Sequence, residues 1–258
     1  MTNFTTHLKK LSAGILIILF WLALWQAIYL IVKKDILLPG PYIVLIRLGS
    51  MALTRLFWLS VFATLYRVFI GICLSLFMGT VLGILSGLNN FCDKLLTPVM
   101  VAVKATPIMS FIIIALIWFG SQNVPIFICF LIAFPIIWTN IREGIRNVDE
   151  KLLEMARVFR VPAYKILTEI YLPEIRPYFF SGLVAIIGLG WKSTVTAEVL
   201  SLPMHAVGSR LYDARVFINS VDLFALTIAI IVISMIIENV LIRFFRSRGE
   251  RRAPHHAD

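Results

Sequence analysis

Charge is scarce in this chain of 258 residues, and negative charge is scarcest: 14 Asp and Glu stand against 24 Lys and Arg, and charged residues of all kinds make up 15%. Water-soluble domains carry about 25%, so the shortage excludes an ordinary solvated globule. Histidine and cysteine are also few, at four and three. Cys73, Cys92 and Cys129 show no CxxC spacing, and His7, His205, His255 and His256 show no ligand-like spacing, so neither a disulfide framework nor a metal site is expected. The cysteines read as small packing residues. No pair of carboxylates within the apolar runs and no nucleophile beside a base stands out, which disfavours an enzyme. The stretch 188–194 ends in Lys-Ser-Thr, as a phosphate-binding loop does, but Trp191 stands where that loop needs glycine ahead of its lysine. No nucleotide site is expected.

What the chain has in excess is apolar surface. Hydrophobic residues make up 60% and the mean hydropathy is +0.91, values that identify the bilayer as its medium. A spanning helix needs about 20 largely apolar residues, and such runs lie at 11–32, 59–88, 95–119, 124–141, 178–200 and 223–245. The reading is an all-α integral membrane protein of about six transmembrane helices. The run after Lys10 is too long for the core of a cleaved signal peptide and leads to Lys33 and Lys34 without a small-residue cleavage site. It is expected to stay as the first span.

Lys and Arg set the orientation. With both ends on one side, that side collects Lys9, Lys10, Lys94, the basic residues of 142–177 and those from Arg243 onward. The other side holds only Lys33, Lys34, Arg47, Arg55, Arg210 and Arg215. Both termini and the segment 142–177 are therefore expected in the cytoplasm. The net charge of +10 is spread along these segments and not gathered with aromatics on one face, so nucleic acid is not the expected partner. Residues 1–245 read as one transmembrane domain and 246–258 as a disordered cytoplasmic tail.

Within the second span Gly71, Ser75, Gly79, Gly83 and Gly87 recur every fourth residue, a ridge of small side chains that lets another helix approach closely. The sequence leaves open whether that seam is internal or between two copies. Pro39, Gly40 and Pro41 break the chain ahead of a short amphipathic helix. Pro107 and Pro135 are expected to bend the third and fourth spans.

The most informative segment is 154–173, EMARVFRVPAYKILTEIYLP, a polar helix-forming stretch between two apolar runs. Asn147 is expected to cap a first short helix, in which Leu152, Leu153, Ala156 and Phe159 share a face. Pro162 opens a second, carrying Tyr164, Leu167, Ile170 and Tyr171. The segment resembles the EAA loop of bacterial ABC importer permeases, whose pattern is EAAxxxG, nine free positions, then IxLP. Glu154, Ala156, Ile170, Leu172 and Pro173 fall on the pattern, while Met155 replaces an Ala and Arg160 replaces the Gly. Either the turn is built differently here or Arg160 reaches an acidic partner. The stretches LLPGPYIV, TLYRVFIGICLSLFMGTVLGILSGL, VKATPIMSFIIIALIWFG and GLGWKSTVTAEVL extend the resemblance over most of 37–245, toward the branch serving nitrate, sulfonates and taurine.

The resemblance implies a type I importer permease subunit of the bacterial inner membrane, forming the pathway for a small anionic solute. It also implies two copies of the chain, a periplasmic or lipid-anchored binding protein, and a separate ATPase that binds ATP and Mg. Glu154, Met155, Ala156, Phe159, Arg160, Ile170, Leu172 and Pro173 would dock that ATPase. The rival is a stand-alone secondary transporter or channel, for which no inverted repeat is visible.

Charges inside spans need a partner or water. Lys104, Lys192 and Glu198, with Ser193 and Thr196, are candidate pathway residues. Arg67 either serves function or pairs structurally. Glu198 is about 600° of helix rotation from Lys192, so the two are not stacked. Lys192 either faces an anion or bridges to a neighbouring helix.

Overall fold

The computed structural model describes the backbone of residues 2–249 and the side chains of residues 16–240. The tail expected from Arg246, with His255 and His256, lies outside the described side chains, as do Lys9 and Lys10. Among the described residues the chain is helical throughout: α1 (Thr2–Val32), α2 (Pro41–Ala52), α3 (Arg55–Leu88), α4 (Asn90–Ala105), α5 (Ile108–Arg146), α6 (Glu150–Val158), α7 (Ala163–Lys165), a π-helical turn (Ile166–Tyr171), α8 (Leu172–Ser201), α9 (Val207–Val216) and α10 (Ser220–Gly249). Backbone polar groups find no water in hydrocarbon, and helices satisfy them internally. Among the described residues four runs are long and apolar enough to cross a membrane: Arg55–Leu88, Ile108–Arg146, Ala163–Ser201 and Ser220–Val240, with Leu16–Val32 and Pro41–Ala52 as shorter apolar helices.

The α5 run is two helical arms, 108–119 and 121–146, joined at Gly120, whose φ of 65° and ψ of 166° leave the helix. A straight helix would put Lys104 and Thr139 about 50 Å apart, yet Lys104 Nζ donates to Thr139 Oγ1 at 2.9 Å. The arms therefore fold back on each other. Ile112 and Ala115 pack on Val124 and Ile128, and Phe119 stacks on Phe127 at 4.8 Å. Position 120 has a positive φ, and a side chain there would meet nothing within 4 Å, so backbone freedom is what glycine supplies.

The expected third span, 95–119, is not one bent helix. It is interrupted at Thr106, which is extended (ψ 132°) and closes α4, and Pro107 leads into the first arm of α5. The residue before proline is pushed out of the helical region, which makes a break and not a bend. Pro135, by contrast, sits inside the second arm, which continues through it.

The chain divides into two compact units, one comprising the chain to Trp58 with Arg210–Ile231, the other Leu59–Ser209 with the chain from Val232. In the first unit Trp25 stacks on Phe224 at 6.0 Å, and Arg47 clasps Asp222 through Nε and Nη2 at 2.5 and 2.9 Å. Arg210 lies over the Phe57 ring, and burial lowers its pKa from the usual arginine value.

The second unit is built around the second arm of α5. On one side Gly71, Gly79, Gly83 and Gly87 of α3 meet Cys129, Ile137, Ile141 and Ile145, so closely that an added Cβ would stand 2.6 to 2.9 Å from those side chains. Ser75 donates to the Phe130 carbonyl within the same ridge. On the other side Ala133, Ile137, Ile141 and Ile145 form a core with Ile175, Leu183, Ile186 and Ile187 of α8. Cys129 lies between Gly71 of α3 and Gly190 of α8.

Candidate functional site

The polar segment begins where α5 ends. Asn147 closes α5, and Asp149, not Asn147, caps α6, its side chain accepting from the Lys151 amide at 2.9 Å. Asp is as good a cap as Asn, and its place directly before the first helical residue decides the matter. Glu154 and the apolar Leu152, Met155, Val158 and Phe159 are exposed, with Phe159 at 75%, while Ala156 is buried. A short helix with one Ala turned inward and four large apolar groups in the open presents a contact surface, not a packed connector.

Arg160 ends α6 with a φ of 50°. Its amide donates to the Arg157 carbonyl, and the Val161 amide donates to the Ala156 carbonyl at 2.9 Å. These two bonds form a Schellman ending, with Arg160 in the left-handed position that glycine usually fills. The turn is thus built as a glycine would build it, and among the described residues Arg160 has no ion pair. The second element starts after Pro162 with α7 and loosens into the π-helical turn Ile166–Tyr171, which the sequence pattern did not reveal. Met155, Ala156, Phe159, Ile170 and Pro173 come together around a cavity of about 440 Å³ between α6 and the returning chain. Leu172 is exposed at the start of α8.

The charges within the spans divide into two kinds. Glu198 is 0% exposed and Arg67 6%. Arg67 Nη1 donates to Glu198 Oε1 at 2.9 Å, and its Nη2 reaches Gln122 Oε1 at 3.2 Å and the Met204 carbonyl at 3.0 Å. Glu198 Oε2 accepts from Thr64 Oγ1 and the Gly208 amide. Both oxygens of the buried Glu198 carboxylate are thus held by partners within the protein. Ser193 is likewise buried, and it donates to the Gly190 carbonyl.

Lys192 and Thr196 lie on the opposite, exposed side of α8 with Leu189 and Leu200. Among the described residues Lys192 has no ion pair. Lys104 is also exposed and, among the described residues, without a carboxylate, and it lines a cavity of about 270 Å³ at the α4–α5 break. A lysine left against lipid at mid-depth costs roughly 2.5–3.5 kcal/mol, so these two faces need water or protein over them.

Sequence reasoning missed Asp93, Thr139 and Glu238. Asp93, in the first turn of α4 ahead of the apolar run, is clasped by Arg142 through both Nε and Nη2, and by Arg146 Nη2 at 2.7 Å. The Arg142 hydrogen bond, foremost among these contacts, holds its carboxyl below the usual aspartate range. Arg142 also lies over the Trp138 ring. The signal was available: an acid and two bases at the same end of consecutive antiparallel spans. Glu238 of α10 lies against Gly188 of α8 and accepts from Ser234.

Among the described residues the chain is thus all-helical, with several helices long and apolar enough to cross a membrane and a polar helical segment between two of them. Residues 79–252 match the family described as binding-protein-dependent transport system inner membrane component, and this chain belongs to that family. Similar proteins include the bicarbonate transport system permease protein CmpB of Synechococcus elongatus, 34% identical over 161 residues, 62% of this chain and 57% of that protein. The nitrate import permease protein NrtB of Leptolyngbya laminosa is 31% identical over 203 residues, 78% of this chain and 71% of that protein. SsuC of Bacillus subtilis, named for aliphatic sulfonates transport, is 28% identical over 214 residues, 82% and 77% of the two chains. The match thus spans little more than half the length of CmpB. A stand-alone secondary transporter or channel does not fit this family, whose members belong to binding-protein-dependent systems.

Proposed function

We propose that this chain is the transmembrane permease subunit of an ATP-driven importer, with residues 1–245 as its permease domain. Its α6 segment docks a separate ATPase, which alone binds ATP and Mg. The observation that carries this reading is the exposed apolar face of α6, with Glu154 beside Met155 and Phe159, on a helix held by capping and by its Schellman ending. Such a helix can enter a groove and pass force to α5 and α8, between which it is strung. ATP binding moves the gate only if nucleotide favours one conformation over the other.

In this reading both termini and α6 face the cytoplasm, and a binding protein delivers solute from the opposite side. Two copies form the pathway: the exposed stripe of α8 carrying Lys192 and Thr196 needs a cover that the described residues of one copy do not provide. The relatives' names speak of bicarbonate, nitrate and sulfonates, and the cationic Lys104 and Lys192 suit a small anion.

Changing Glu154→Lys should leave the chain inserted and lower recovery of the ATPase about tenfold, which corresponds to 1.4 kcal/mol at the interface. Co-purification and ATP-driven uptake in vesicles measure this, and uptake at the original rate would refute the assignment.

A further inference from the structure

The first unit holds a cavity of about 160 Å³ where α2 and α9 meet the start of α10, with Arg210, Asp213 and Asp222 in its wall and Met51, Ala214 and Leu226 as its apolar part. Its charges are not all used. Asp222 is spent on Arg47, which takes one carboxylate oxygen with Nε and the other with Nη2. Arg210 and Asp213 share a face of α9, being three residues apart, yet among the described residues neither has an ion pair. The Arg210 guanidinium lies over the Phe57 ring, and its Nη1 is buried without a hydrogen-bond partner. A cation with one nitrogen sealed and unpaired is short of solvation, so the part of it that lines the cavity gains from an oxyanion.

A bare anion fits this cavity poorly. Arg47 and Arg210 only balance Asp213 and Asp222, and an anion drawn to Arg210 would meet the unpaired Asp213 carboxylate. The complement is a group carrying both charges, an oxyanion for Arg210 and an N–H cation for Asp213. A cavity of about 150 Å³ holds benzene, so this one takes a polar head of roughly six to eight heavy atoms.

Depth indicates where such a head comes from. Asp222 stands in the first turn of the span Ser220–Val240, and Leu226 lies about 9 Å along it from Ser220, so the cavity sits at the mouth of a membrane helix. Beside it α2 exposes Tyr42, Ile43, Leu45 and Ile46, as a helix lying in a bilayer interface does. Leu53, just after α2, is 89% exposed and Phe217, just after α9, is 79% exposed. Acyl chains cover such groups and water does not.

We infer that this cavity binds the head of a zwitterionic phospholipid with a primary ammonium, as in phosphatidylethanolamine. The phosphate sits on Arg210, the ammonium on Asp213, and the acyl chains run along Leu53 and Phe217. The inference needs α10 in a bilayer and nothing of the ATPase docking above.

The test titrates the full-length chain, delipidated in detergent, with phospholipids of identical acyl chains and counts bound lipid by native mass spectrometry. Phosphatidylethanolamine should bind about tenfold more tightly than phosphatidylcholine, whose ammonium has no N–H for Asp213, and than phosphatidylglycerol, which has no cation. Asp213→Asn, at an exposed side chain, should abolish the preference over phosphatidylcholine, and it carries the test should Arg210→Gln not fold. Folded Arg210→Gln should bind both lipids about tenfold more weakly. Arg215→Gln, on the same helix but outside the cavity, should change neither. Glycerophosphoethanolamine, the same head without chains, should displace less than about half of the bound lipid at ten times its concentration.

Equal affinities for the three lipids, or a preference that survives Asp213→Asn, would overturn the site. So would an equal loss on Arg215→Gln, which would reduce the effect to general attraction by basic residues. Full displacement by glycerophosphoethanolamine at the lipid's own concentration would overturn the lipid as the source of the head group.

Discussion

Arg160 occupies a backbone conformation that L residues adopt at a cost of roughly 1–2 kcal/mol, and it does so on an exposed turn with no ion pair among the described residues in return. Glycine would remove that strain but add about 0.5–1 kcal/mol of unfolded-state entropy to be lost. Arg160→Gly should therefore stabilise the protein by only about 0.5–1 kcal/mol, seen as a modest rise in Tm in detergent. Arg160→Ala should bring no gain, since alanine keeps the Cβ. Ile218, which ends α9 at a φ of 54°, shows the same ending with a β-branched residue. The Arg67–Glu198 pair behaves differently because its charges are sealed in. Replacing Arg67 by Met alone should cost about 3–5 kcal/mol, as Glu198 is left buried without its cation. Adding Glu198→Gln to Arg67→Met should recover a large part of that loss. A double-mutant cycle of unfolding free energies checks this, and additive losses would contradict the pairing.

At the scale of elements the α3 ridge and the second arm of α5 depend on close approach. At Gly83 a Cβ would stand 2.8 Å from that of Ile141, whereas at Gly49 of α2 it would meet nothing within 4 Å. Gly83→Ala should accordingly destabilise by about 1–3 kcal/mol, and Gly49→Ala should be neutral or slightly favourable. Thermal unfolding of the two variants side by side separates steric cost from any general effect of alanine. The Asp93 clasp ties the start of α4 to the end of α5, next to the polar segment. Because the folded carboxyl titrates below its ordinary range, its stabilisation is complete above that range and is lost as pH falls through the depressed value. Stability should thus decline on acidification below the normal aspartate range, and Asp93→Asn should remove this part of the pH dependence. The ridge was legible in the sequence because a four-residue spacing survives in any helix. The clasp was not, because its partners are separated by the Gly120 reversal.

For the whole molecule, residue patterns alone determined the solvent, the helical class and the polar segment between two apolar runs, while the expected third span turned out to be broken at Thr106. Each depends on local properties: hydropathy over about 20 residues, periodicity along one helix, and the fixed order of a short motif. Pairing across the fold was decided elsewhere. Lys104, Lys192, Glu198 and Ser193 looked alike in the sequence as polar groups within apolar runs. Only the tertiary structure sealed Glu198 and Ser193 inside, set Lys104 beside a cavity, and left Lys192 on an open face. The reason is that burial belongs to the neighbours a side chain meets, and in this chain those neighbours come from other helices, brought near by a reversal at one glycine and by a ridge that lets two backbones touch.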